Sequence, residues 1–187
     1  MRLPNELVTI ICRGILRQLT ERKIISSESP KETQSKLEKI FKLDLEKDNY
    51  FTEKAKSILD SKFSEIKSQG DVDFRALLSK VKKELAAKEK YVLWSGESKF
   101  PEDKVWQLSR DFAQFFKSDD QIEYFVKSDQ LVKEIVFAFK NEVQKDKMRE
   151  NMALKKVLSI KRNIQEGTSE FETLKDVFYR EFLTKEA

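Results

Sequence analysis

The chain has 187 residues, 39% hydrophobic and 37% charged, with 4 Gly, 3 Pro, 1 Cys and no His. A length of this order buries about 70% of the unfolded chain's surface, and the composition is too apolar for a disordered tail and too poor in turn residues for a many-stranded β fold, so an all-α fold is predicted. The net charge of +4 implies no polyanion partner, and the lack of His with a single Cys excludes the commonest general base, the commonest metal ligand, a disulfide framework and a thiolate cluster.

The apolar run Leu7 to Cys12 is bracketed by Glu6 and Arg13, too short for a secretory core or a membrane span. A cytoplasmic protein without membrane association is expected. A high charged fraction with few Gly suits an ion-pair-laced protein from a hot environment. Leu7, Val8, Ile11, Ile15, Leu16 and Leu19 recur at spacings of three and four, predicting a helix entered through Pro4. A second helix follows Pro30 with Leu37, Ile40, Phe41 and Leu45, and a third is predicted over about 50–68. Gly70 stands where a C-terminal cap is favoured, and Asp71 or Asp73 would start a fourth helix. The stretch 91–100 holds three large aromatics beside Ser-Gly and reads as a packed connector.

Shifting the chain by 97 residues puts Leu3-Pro4 onto Phe100-Pro101, Ile11 onto Leu108, Ile15 onto Phe112, Gly70 onto Gly167, Phe74 onto Phe171 and Leu77 onto Leu174. A slip to 98 aligns Ala55 with Ala153 and Leu59 with Val157. A tandem duplication is predicted: a first helical lobe at 1–93, a connector at 94–99 and a second lobe at 100–187, each of about four helices. The third helix of the second copy is expected over 147–165, capped by Gly167 and followed by a helix begun at Thr168 or Ser169.

The run from Leu158 to Phe171, with Lys161-Arg162 and Gly167-Thr168-Ser169, then Leu174, Phe178-Tyr179 and Glu181, resembles the ending of a bacterial family known as domain of unknown function number five hundred and seven. The opening Met1-Arg2-Leu3 is similar to that family's start. Members are about one copy long, so the resemblance implies two fused copies and an all-helical fold, and it carries no activity or catalytic residues. The chain departs from the family at Gln165 and Phe171, where Pro and Trp are the pattern, and the first copy lacks the Lys-Arg pair.

From Lys145 to Arg162, seven positive charges face two negative ones. Lys155, Ser159 and Arg162 share a helix face suited to a phosphate backbone, and Lys156 and Lys161 add to the candidate binding set. Against this stands a solvated face with carboxylate partners, and no recognised nucleic-acid motif accompanies it. Phe115-Phe116 are expected to be buried, Trp94 to pack the connector, and Cys12 to be a buried, inert thiol. Asp119-Asp120 with Glu123, and Asp71 with Asp73, are read as helix-start carboxylates rather than a metal site. The resulting expectation is a non-catalytic helical module that binds another macromolecule, a protein foremost, as a monomer or weak dimer, with no cofactor or metal. Nucleic-acid binding through 145–162 is the alternative, and a structural or oligomer-forming role a third.

Overall fold

The computed structural model describes residues 3–61, 73–94, 98–160 and 165–186. Among them are six helices and two short strands: α1 (Asn5–Glu21), β1 (Ile25–Ser27), α2 (Pro30–Ser61), α3 (Phe74–Lys88), α4 (Glu102–Ser118), β2 (Ile122–Tyr124), α5 (Ser128–Leu158) and α6 (Ser169–Glu186). The protein is mostly helical, and the order helix, strand, long helix, helix occurs twice.

α1 buries the stripe predicted for it, from Leu7 to Leu19, with Cys12 inside it. It ends without glycine. Lys23 takes φ 55°, the Lys23 N–H donates to Thr20 O, and the Ile24 N–H donates to Leu19 O. This left-handed cap is repeated after α3 by Lys90, at φ 51°, where the Tyr91 N–H donates to Ala86 O. The expected second and third helices are one: α2 is continuous for 32 residues, and α5 for 31. No Gly or Pro falls inside either span after Pro30, so nothing in the chain interrupts the hydrogen-bond ladder. Each half therefore has three described helices rather than four.

The strands pair antiparallel in the register Ile25↔Tyr124, Ser26↔Glu123 and Ser27↔Ile122. At a shift of 97, Ser26 falls on Glu123 and Ile25 on Ile122, and Ser26 and Glu123 are also the central pair of the ladder.

The chain forms two compact units, Lys39–Leu108 and Arg2–Glu38 with Ser109–Ala187. They do not divide at the connector. In the second unit α5 packs against α1 and α6, and α1 also meets α6, around Ile11, Ile15, Phe112, Phe116, Ile135, Phe139 and Leu183. In the first, Phe51, Ala86, Tyr91 and Leu93 form the apolar cluster, and Trp94 stacks on Phe41 at 5.6 Å between ring centroids.

A buried charge organises the first unit. Lys104 of α4 is fully buried and its Nζ donates to Asp44 Oδ1 (2.7 Å) and Val92 O (2.6 Å), while lying 3.9 Å from the Tyr91 ring centroid. Asp44 also accepts from Trp94 Nε1 at 2.6 Å. The connector residue Trp94 is thus tied by its ring, its indole N–H and its backbone N–H, which donates to Asp48 Oδ1.

Gly167 has φ 82°, the left-handed region that favours glycine. It lies in the turn leading into α6, because α5 stops at Leu158 well before it; Thr168 Oγ1 accepts from the Phe171 N–H there. Asp73 is the N-cap of α3, accepting from the N–H groups of Arg75 and Ala76. Gly70 lies outside the described residues. Phe171 is buried whereas its counterpart Phe74 is exposed.

Candidate functional site

α5 carries most of the residues singled out from the sequence, and its environment differs from side to side. Its inward side holds Leu131, Ile135, Phe139, Ala153 and Val157 together with three buried charged groups, Glu142, Asp146 and Arg149. Asp146 Oδ1 accepts from the Tyr179 hydroxyl of α6 at 2.7 Å. Burial, followed by that hydrogen bond, raises the Tyr179 pKa far above its ordinary value. Arg149 donates from Nε and Nη2 to Glu186 Oε2, at 3.0 and 2.5 Å. The Arg149 hydrogen bond holds the Glu186 carboxyl below its ordinary pKa.

Three cations of the basic run, Lys145, Arg149 and Lys156, are engaged by carboxylates. Lys145 donates to Glu142 Oε1 at 2.6 Å, and Lys156 donates to Glu181 Oε2 at 2.6 Å with its ammonium 4.1 Å from the Phe178 ring centroid. Lys156 lowers the Glu181 pKa through that hydrogen bond. Lys155 is exposed. The Ser159 hydroxyl donates to Lys156 O at the end of α5. α5 ends at Leu158, with Ser159 as its C-cap; Lys161 and Arg162, expected on the same face as Lys155 and Ser159, lie outside the described residues.

The outward side is apolar and basic at once. Phe137, Met148 and Met152 are 52%, 55% and 51% exposed. At 100° per residue they and Lys155 fall within about 60° of one another on one face. Lys133, Lys140 and Lys147 flank this stripe and are exposed. Of the carboxylates in the same stretch, Glu142 and Asp146 are buried and Glu150 falls on another side of the helix, whereas Glu134 shares the face of the stripe and is paired with Arg22 at 2.5 Å. On α2 the exposed Leu43 and Tyr50 share their face with Lys39, Lys47 and Lys54 as well as Glu46 and Glu53, a mixed-charge face.

Beside this stripe, α1 and α5 approach closely enough to bury Gly14. Gln18 of α1 donates from Nε2 to Glu142 Oε1 at 2.8 Å, and Asn141 donates to Gln18 Oε1 at 2.9 Å. A cleft of about 350 Å³ opens there, lined by Arg13, Arg17, Glu142, Lys145, Arg149 and Glu186 around Gly14. Nothing in the sequence pattern announced it, since its residues come from three helices.

The remaining candidates find structural places. Asp119 accepts from Lys36 Nζ at 2.7 Å and from the Gln121 N–H, in the turn after α4 rather than at a helix start. Phe116 is buried and Phe115 half-buried, the rings 5.6 Å apart. Among the described residues there is no cluster of metal-ligating side chains, and no helix is long and apolar enough to cross a membrane.

One family matches the chain over residues 1–187, described as a protein of unknown function (DUF507). The chain belongs to the DUF507 family. The match runs through both halves. No curated protein matches this DUF507 chain.

Proposed function

We propose that this protein is a non-catalytic helical module, resident in the cytoplasm, whose outer α5 face docks an acidic segment of another protein. The observation that carries the reading is the half-exposed row Phe137, Met148 and Met152, set among Lys133, Lys140, Lys147 and Lys155, with Glu134, the carboxylate of that face, neutralised by Arg22 at 2.5 Å. Exposed Phe and Met side chains in one row are unfavourable in water and suit a protein surface that covers them. The flanking ammonium groups select a partner of opposite sign and speed its approach. A phosphate backbone would use the lysines and leave the apolar row uncovered. Nucleic-acid binding is the second reading, supported by the count of cations at 145–162, although Lys145, Arg149 and Lys156 of that run are engaged with Glu142, Glu186 and Glu181.

The test is a Phe137→Ser, Met148→Ser, Met152→Ser variant compared with the parent in co-purification with and without nuclease, with circular dichroism confirming the fold. Loss of a nuclease-insensitive protein partner supports the reading. Nuclease-sensitive binding that survives the variant replaces it with the nucleic-acid reading.

We also infer that the halves 1–93 and 100–187 descend from one helix–strand–helix–helix unit by duplication. Three features support this: the repeated element order, the self-matched strand register, and buried acids with matching partners. Lys82 Nζ donates to Asp48 Oδ2 in the first half as Tyr179 donates to Asp146 Oδ1 in the second, each at 2.7 Å; Asp48 and Asp146 are 98 residues apart, Lys82 and Tyr179 97. On this reading the halves have exchanged their first helices, since α1 packs on α5 and α6 while α4 brings Lys104 to Asp44 of α2. The chain then closes on itself as a monomer.

A further inference from the structure

We infer that the cleft between α1, α5 and the end of α6 is a binding site for a phosphate dianion, in which the Glu186 carboxylate is the resident counter-ion that phosphate competes with. Four cations and two carboxylates line it. Glu142 is already committed, accepting from Gln18 and Lys145, and it closes the floor against Gly14 rather than offering charge to the opening. Arg13 and Arg17 stand one turn apart on α1, and Lys145 and Arg149 one turn apart on α5. Two helices thus present cationic groups to one space.

Arg149 is the centre of the arrangement. Its side chain is 6% exposed, so a guanidinium has been taken out of water at a substantial cost that its partners must offset. Nε and Nη2 are satisfied by Glu186, but Nη1 has no hydrogen-bond partner among the described residues and lies 4.0 Å from Asp146 Oδ1. Glu186 comes from the end of α6 and its side chain is half exposed. Arg13 donates to the Glu186 carbonyl. A carboxylate delivered on a helix end into a basic cleft has the shape and charge of an internal stand-in for an external oxyanion. The two-charge excess of the lining suits a dianion, and guanidinium groups bind phosphate oxygens in pairs. A volume of about 350 Å³ holds a phosphate with a small substituent, as one water in the liquid takes only about 30 Å³.

The site is independent of the α5 apolar stripe, and its test does not involve a protein partner. The full chain is titrated at fixed ionic strength with inorganic phosphate in one arm and glycerol phosphate in the other, read by calorimetry and by the shift in thermal midpoint. Saturable binding of either supports the site, and the tighter arm identifies the source as free phosphate or a phosphomonoester. Arg17→Ala, a change at an exposed residue that leaves the fold intact, is expected to weaken binding about tenfold, and Glu186→Gln to tighten it about tenfold, the worth of one charge-assisted contact. Glu170→Gln is the distant control of equal charge change. No saturable binding in either arm at millimolar concentration, or an equal response to Glu186→Gln and Glu170→Gln, overturns the inference.

Discussion

Gly14 and Glu142 meet so closely between α1 and α5 that a methyl group on Gly14 would overlap the Glu142 carboxyl. In an unpacked helix Gly→Ala gains about 1 kcal/mol. Here the carboxyl is 2% exposed and held by Gln18 and Lys145, so it has to be displaced and desolvated anew. Gly14→Ala is expected to lose about 1–3 kcal/mol of stability in denaturant unfolding, the usual range for overpacking. A gain in stability would mean that Glu142 swings aside freely.

Lys104 and Asp44 form a pair buried on both sides, with side-chain exposures of 0% and 8%. Removing one partner strands the other. Lys104→Met is expected to cost about 3–5 kcal/mol, and the double change with Asp44→Leu to recover much of that loss. A double-mutant cycle by urea unfolding measures the recovery; additive losses would show that the cost lies in packing rather than in the orphaned carboxylate.

Stability should fall at both ends of the pH scale for separate reasons. Glu186 has a folded pKa below its ordinary 4.5 because Arg149 bonds its ionised form. The unfolded chain takes up that proton first, so the contribution is present above pH 4.5 and is lost as pH falls from there. Tyr179 has a folded pKa above its ordinary 10.0, through burial and then the bond to Asp146. Its contribution is present below pH 10 and is lost as pH rises beyond. Unfolding titrations across pH should show a flattened acid limb in Glu186→Gln and a flattened alkaline limb in Tyr179→Phe, each variant leaving the opposite limb as it was.

The helical class, the α1 stripe and the helix starts at Asp71 or Asp73 and at Thr168 or Ser169 were legible because each rests on local spacing. Helix ends were not. Lys23 and Lys90 occupy left-handed positions that sequence reading assigns to glycine, and the paired runs in 30–61 looked like two helices although no Gly or Pro separates them. The three-residue strands were too short for alternation to register. The element packed by α1 was not legible, since α1 has the same apolar stripe whether it covers α2 or α5. The cleft was illegible for a related reason, since Arg13, Arg149 and Glu186 become neighbours only through that packing.

The proposed exchange of first helices makes a specific demand on fragments. Residues 97–187 alone lack α1, which covers α5 and α6, and residues 1–95 lack the α4 lysine that neutralises Asp44. Each fragment should be loosely folded alone, and mixing the two should restore a cooperative thermal transition in circular dichroism, since each supplies what the other lacks. Two independently cooperative fragments with no mutual affinity would contradict the exchange.

The docking face is tested most directly by placing a photo-crosslinking residue at Met148 in the full chain and irradiating it in cells. The expected result is a covalent adduct with a protein whose captured segment is acidic, formed equally after nuclease treatment and lost when Met152→Glu and Phe137→Glu are introduced alongside. No protein adduct from Met148, or one that disappears with nuclease and persists through those two changes, would contradict it.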